Sequence, residues 1–170
     1  VPGNLKVIIK NLKTIKMGLD ISHGTWHGAY SAFHTWRQEI ARVAGLPPLI
    51  LMEGFYSESS YSSPFAMLDI KYPDKNALDV WQINEMRKSF PIKWDCLKPN
   101  PLHELLYHPD SDGYINWSKC DKIADELEKL LPLLKDEDAG GHIGNWIEKT
   151  KTFINGLRLA YKKKEKLQFR

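Results

Sequence analysis

Three segments of the 170-residue chain set histidine among glycine and small polar residues just ahead of a predicted helix. They are SHGTWH (Ser22 to His27), HPDSDGY (His108 to Tyr114) and GGHIGNW (Gly140 to Trp146). A helix start offers free backbone N–H groups and a partial positive charge. Glycine lets a ligand approach the backbone, and histidine adds a donor that titrates near neutral pH. An anion such as phosphate suits that combination. On this reading His23, Gly24 and Thr25, with Gly141 and His142, hold a phosphate-like group. Trp26 or Trp146 stacks on an attached base. The plainer reading of each loop alone is a capped helix start after a tight turn, with each Trp filling core. Spacing does not say whether the three loops meet.

The middle segment also carries metal-binding chemistry. Asp110, Asp112, Gly113 and Ile115 match the third, fifth, sixth and eighth places of an EF-hand loop. His108 replaces the first acid, however, and Lys119 stands where the bidentate glutamate belongs, which argues against calcium. His108, Asp110 and Asp112 would suit a different divalent metal, with His23 or His142 completing the set. An Asx-rich turn is the ordinary alternative. Cys96 and Cys120 lack metal-pair spacing and are expected to be reduced. Cys120, in the first turn of a predicted helix, is either a small half-buried residue or an activated thiol. No G-x-S-x-G, phosphate-binding P-loop, H-E-x-x-H or paired CxxC motif occurs, so no familiar enzyme class is indicated.

These loops need helices to hold them. Ala29, Ala32, Phe33, Trp36, Ile40 and Val43 fall on one apolar stripe and predict a helix from about Trp26 to Ala44, N-capped by Thr25 and stopped by Gly45 and Pro47. Pro101 starts a short helix through Leu106. A helix over Trp117 to Leu134 and another over Ile143 to Lys163 follow, with a short strand over Leu167 to Phe169. Between residues 46 and 98 the pattern breaks up; Phe65 to Tyr72 reads as a strand and Ala77 to Arg87 as a short helix. The fold class is mainly α: a single compact domain of amphipathic helices with a few short strands, over residues 17–170. Residues 1–16 form a basic arm or extension ahead of Met17, with apolar positions at helical spacing.

Charge is uneven. Lys6, Lys10, Lys13 and Lys16 meet no acid in residues 1–16, and six bases stand against Glu165 in residues 158–170. The intervening body is acidic, with 14 bases against 20 acids, so the formal net charge of +3 comes from the two ends. Such ends attract phosphate or are simply solvated. No apolar run approaches a membrane span, and residues 1–16 lack the features of a secretory signal, so the expectation is a cytoplasmic protein with no membrane partner.

At MGLDISHG, HPDSDGYI, ELEKLLP, GGHIGNW and FINGLRLA the chain resembles a family of small uncharacterised proteins of bacteriophages and bacteria. The resemblance covers Met17 to Phe169 and is weakest over 46–98. In that family the central turn reads more like HSDCDGEI; here Pro109, Ser111 and Tyr114 differ, while His108, Asp110, Asp112 and Gly113 remain. The resemblance implies a viral or mobile-element origin, with cytoplasm meaning that of the host, and no particular chemistry. The leading expectation is a protein that binds, and so sequesters, a small anionic nucleotide-type ligand such as a host defence signal. One alternative is a metal-dependent phosphoester hydrolase, with His23 as acid or base. Another is an inhibitor of a host protein or, less in keeping with the sequence, a nucleic acid. The apolar helix faces would also serve a homo-oligomer.

Overall fold

A computed structural model describes residues 18–55, 91–109, 112–140 and 143–170. The basic arm, the elements expected over 65–72 and 77–87, and Asp110, Gly141 and His142 lie outside the described residues. Among the described residues the protein is mainly α, with a few two- and three-residue strands. No helix there is long and apolar enough to cross a membrane.

The first described residues form a hairpin. Strands β1 (Leu19–Ile21) and β2 (Trp26–Gly28) pair antiparallel, with Ile21 opposite Trp26. His23 (φ 63°) and Gly24 (φ 67°) both adopt left-handed backbone, the signature of the type I′ turn that joins tight hairpins. This corrects the expected helix start. Thr25 closes the turn and caps nothing: its N–H and its Oγ1 both donate to the Ser22 carbonyl, at 3.3 and 2.6 Å. Helix α1 (Tyr30–Val43) begins only at Tyr30, with Ala29 at its N-cap and no side-chain cap. Its end is as expected, with Gly45 at φ 72°. His27 is therefore on a strand, 89% exposed in its side chain.

Helix α2 (Leu102–Leu106) precedes β3 (Tyr114–Ile115). Helix α3 (Trp117–Leu130) passes into a 3-10 turn over Leu131–Leu133, where Pro132 cannot donate to a continuing helix. Helix α4 (Trp146–Lys163) starts three residues later than its apolar stripe suggests, because Asn145 caps it. It runs antiparallel to α3: Trp117 meets Tyr161, and Arg158 binds Asp121, Asp125 and Glu128. Strand β4 (Leu167–Gln168) then pairs antiparallel with β3.

One core lies beneath these elements. Phe33 and Trp36 of α1 meet Phe153 of α4, the Trp36 and Phe153 rings being 4.5 Å apart. Ile123, Leu127, Leu157, Leu102 and Leu105 fill the space around them. Full burial of each such side chain contributes about 1.5–3 kcal/mol. The Trp36 indole N–H donates to Thr150 Oγ1 at 3.0 Å, so this buried donor is satisfied. The β4 segment ties the ends of the described chain together. Asp20 and Arg170 exchange backbone hydrogen bonds at 2.9 and 2.8 Å, and Ile21 pairs with Phe169.

Candidate functional site

The SHG turn sits against the far end of α4. Lys164 closes that helix in left-handed backbone (φ 54°), and the Glu165 N–H reaches back to the Ala160 carbonyl at 3.1 Å. This turn delivers Glu165 to the hairpin, where its Oε2 lies 2.6 Å from Nε2 of His23. The other ring nitrogen, Nδ1, lies 2.8 Å from Ser22 Oγ. The protons follow from the partners. A carboxylate can only accept, so Nε2 carries a hydrogen, and in the neutral tautomer this selects, Nδ1 is the acceptor nitrogen. Ser22 Oγ already accepts the Gln168 backbone N–H at 2.9 Å, so its own hydrogen is free to point at Nδ1. A weaker alternative acceptor, the Lys166 carbonyl, is 3.5 Å away.

Ser22, His23 and Glu165 line an open cleft of about 600 Å³ with Leu159, Lys163, Lys166, Gln168 and Arg170. Among the described residues, three cations and one carboxylate, hydrogen-bonded to His23, therefore line the cleft. The His23 side chain is only 8% exposed, whereas that of Glu165 is 57% exposed. Beside the cleft, Lys166 Nζ lies 4.0 Å over the ring of Tyr114, which is itself half exposed. Among the described residues, His23 and Lys164 are the two non-glycine residues with positive φ. Both belong to segments bordering this cleft, where strained backbone is often kept for function.

The other expected site residues are placed differently. Trp26 is 2% exposed and packs edge-on against Phe33, with Lys149 Nζ 4.0 Å over its ring, so it is part of the core rather than a stacking platform. Gly24 is exposed at the turn. Trp146 is half-buried against the core at the opposite end of α4 from Glu165, about 27 Å away at 1.5 Å per residue. His23 and Trp146 thus do not share a site. The α4 start is also occupied: Asn145 Oδ1 accepts from the N–H groups of Ile147 and Glu148 at 2.9 and 3.2 Å. Asn116 does the same for Ser118 at the start of α3. The donors read from sequence as free for a ligand are held by these asparagines.

The HPDSDGY turn reaches the same strand as the SHG turn, from its other edge: the Phe169 N–H donates to the Gly113 carbonyl while Gln168 faces Ser22. His108 is buried with its ring stacked on Phe169 at 3.9 Å, and its Nδ1 lies 2.8 Å from the Pro109 carbonyl. The buried Arg37 guanidinium donates to the His108 carbonyl at 2.7 Å. Asp112 is exposed. Among the described residues no three His, Cys, Asp or Glu side chains gather as a metal-holding group. Lys119 pairs with Glu104 at 3.0 Å. Cys120 is fully buried, and that burial, with Asp121 nearby, pushes its thiol up to about 12. It is a core residue and not an activated thiol.

Of the cleft residues, sequence reasoning named His23 and missed Ser22, Glu165 and the cations. Glu165 is 142 residues from His23 along the chain. The available signal was the excess of bases in the last thirteen residues. Comparison of the chain with protein-family models, curated proteins and solved structures finds no match.

Proposed function

We propose that the protein binds a small phosphate-bearing ligand of the nucleotide type in the cleft between the SHG turn and β4. The observation that carries this reading is the convergence of Lys163, Lys166 and Arg170 on a cleft that, among the described residues, has one carboxylate side chain in its lining, hydrogen-bonded to His23. An anion entering there meets three basic side chains against one carboxylate, an excess of positive charge that attracts it and that salt screens. The ligand site of this reading keeps His23 from the sequence expectation and replaces the α4 start by the β4 side of the molecule. Tyr114 replaces Trp26 as the aromatic surface next to the phosphate, and Lys166 leaves its ring to meet the anion.

Calorimetric titration with ADP and with inorganic phosphate tests this. Lys166→Ala and Arg170→Ala should each weaken ADP binding about tenfold, in line with loss of one charge-assisted contact of about 1.4 kcal/mol. Tyr114→Ala should affect ADP more than phosphate. Affinities unchanged by both cation substitutions would overturn the assignment.

A further inference from the structure

The hydrogen-bond chain in the cleft has a direction, and that direction is the one nucleophilic catalysis needs. Glu165 accepts from His23 Nε2, which fixes the tautomer and orients the ring. His23 Nδ1 is then a base, 2.8 Å from the Ser22 hydroxyl. The Gln168 N–H, donating to Oγ at 2.9 Å, holds that oxygen in place and leaves its hydrogen to point at Nδ1. Serine, histidine and a carboxylate in this order recur on unrelated folds, and they are recognised by geometry and roles rather than by position in the chain. Here the roles of the two ring nitrogens are exchanged, because Ser22 and His23 are neighbours in one turn. A purely structural lock for the hairpin has no need of a carboxylate on the far nitrogen, nor of a histidine in left-handed backbone, where glycine or asparagine fits at lower cost.

We propose that Ser22 is a nucleophile, with His23 as its general base and Glu165 as the positioning residue, and that the cleft hydrolyses a carboxylic ester carrying negative charge. Ser22 Oγ bonds to the ester carbonyl carbon as its proton passes to His23 Nδ1. Collapse breaks the bond to the alcohol, which leaves with that proton, and Ser22 is acylated. Water then attacks the acyl carbon, giving one proton to Nδ1. The acid departs, and the proton returns to Oγ. The net change is ester plus water to acid plus alcohol. The choice of a charged substrate rests on the cation-lined cleft proposed above; the nucleophile does not.

An uncharged alkyl fluorophosphonate separates the two. It phosphonylates an activated serine with loss of fluoride and has no use for the cations. Intact-protein and peptide mass spectrometry should find one adduct, on Ser22, in the folded protein. His23→Asn, which keeps a residue suited to the left-handed turn, should lose labelling by at least a hundredfold with an unchanged circular dichroism spectrum. Glu165→Gln should slow it about tenfold and change the pH profile of the labelling rate, a change that a merely structural role would not produce. No adduct on Ser22, or equal labelling of His23→Asn, overturns the nucleophile even if ADP binds. Where labelling succeeds, hydrolysis of the 4-nitrophenyl monoester of succinate should exceed that of 4-nitrophenyl acetate about tenfold in kcat/KM. Equal rates would overturn the charged substrate and leave the nucleophile standing.

Discussion

Thr25 fills a notch that Gly156 leaves in α4. A Cβ at position 156 would overlap Thr25 Oγ1 and approach its Cβ and Cα to 2.7 and 2.8 Å. Both residues are buried, and the contact seats the hairpin on the middle of the helix. Replacing a helical glycine by alanine in open surroundings stabilises by about 0.5–1 kcal/mol. Here the sign should reverse. Gly156→Ala is expected to destabilise by about 1–3 kcal/mol, the usual cost of overpacking. Urea unfolding measures it, and a midpoint equal to or above that of the wild type would show that the hairpin moves away at no cost.

Asn145 is expected to be worth about 1 kcal/mol as the cap of α4. It accepts two backbone N–H groups and also donates to Asp136 at 2.9 Å, which holds the preceding loop against the helix. Asn145→Ala should lower the urea midpoint without changing the slope of the transition. ADP affinity should not move, because the cleft lies at the other end of the helix. A loss of binding without loss of stability would return the ligand to the glycine-rich loop.

The two thiols should differ sharply in reactivity. Cys96 is exposed, and Cys120 is buried with its thiol raised to about 12. At pH 8 the native protein should take up one equivalent of iodoacetamide, on Cys96, and a second only after denaturation. Rapid native labelling of Cys120 would contradict its packing.

His103 should contribute to acid sensitivity. It lies against Trp94, ring centroids 5.3 Å apart, and its Nε2 is buried without a hydrogen-bond partner among the described residues. Burial lowers its pKa below the ordinary 6.5. In the window between the lowered folded value and 6.5, the unfolded chain binds the proton and the folded protein does not, so stability falls as pH falls through that window. His103→Leu should flatten the decline in urea midpoint between pH 7 and 5 relative to wild type. An identical slope in both proteins would remove His103 as a source.

The helices were legible because their stripes repeat. Phe33, Trp36 and Ile40, or Phe153, Leu157 and Ala160, need only a period of 3.6 to be recognised. The same rule misled at Trp26, which continues the α1 stripe backwards although it belongs to a strand. Three residues are too few to show alternation, and the left-handed backbone of His23 and Gly24 that turns the chain is a conformational fact only half announced by one glycine. His23 stood out by residue type. Its partners did not, because Ser22 and Glu165 are ordinary residues that become a chain of proton donors and acceptors only when β4 returns to β1. The asparagine caps were hidden in the same way: Asn116 and Asn145 occupy the donors that suggested an anion site at the helix starts.

The backbone exchange between Asp20 and Arg170 spans nearly the whole described chain. Contacts so distant in sequence carry a larger loop-closure cost than the pairing of α3 with α4, which spans a much shorter connection. Ser22, His23 and Glu165 therefore meet only where the first and last described segments meet, on a hydrogen-bonded seam outside the helical core. The proposed chemistry of the cleft would in this sense be a report on closure, present only in molecules where residues 20–23 and 165–170 have already found each other.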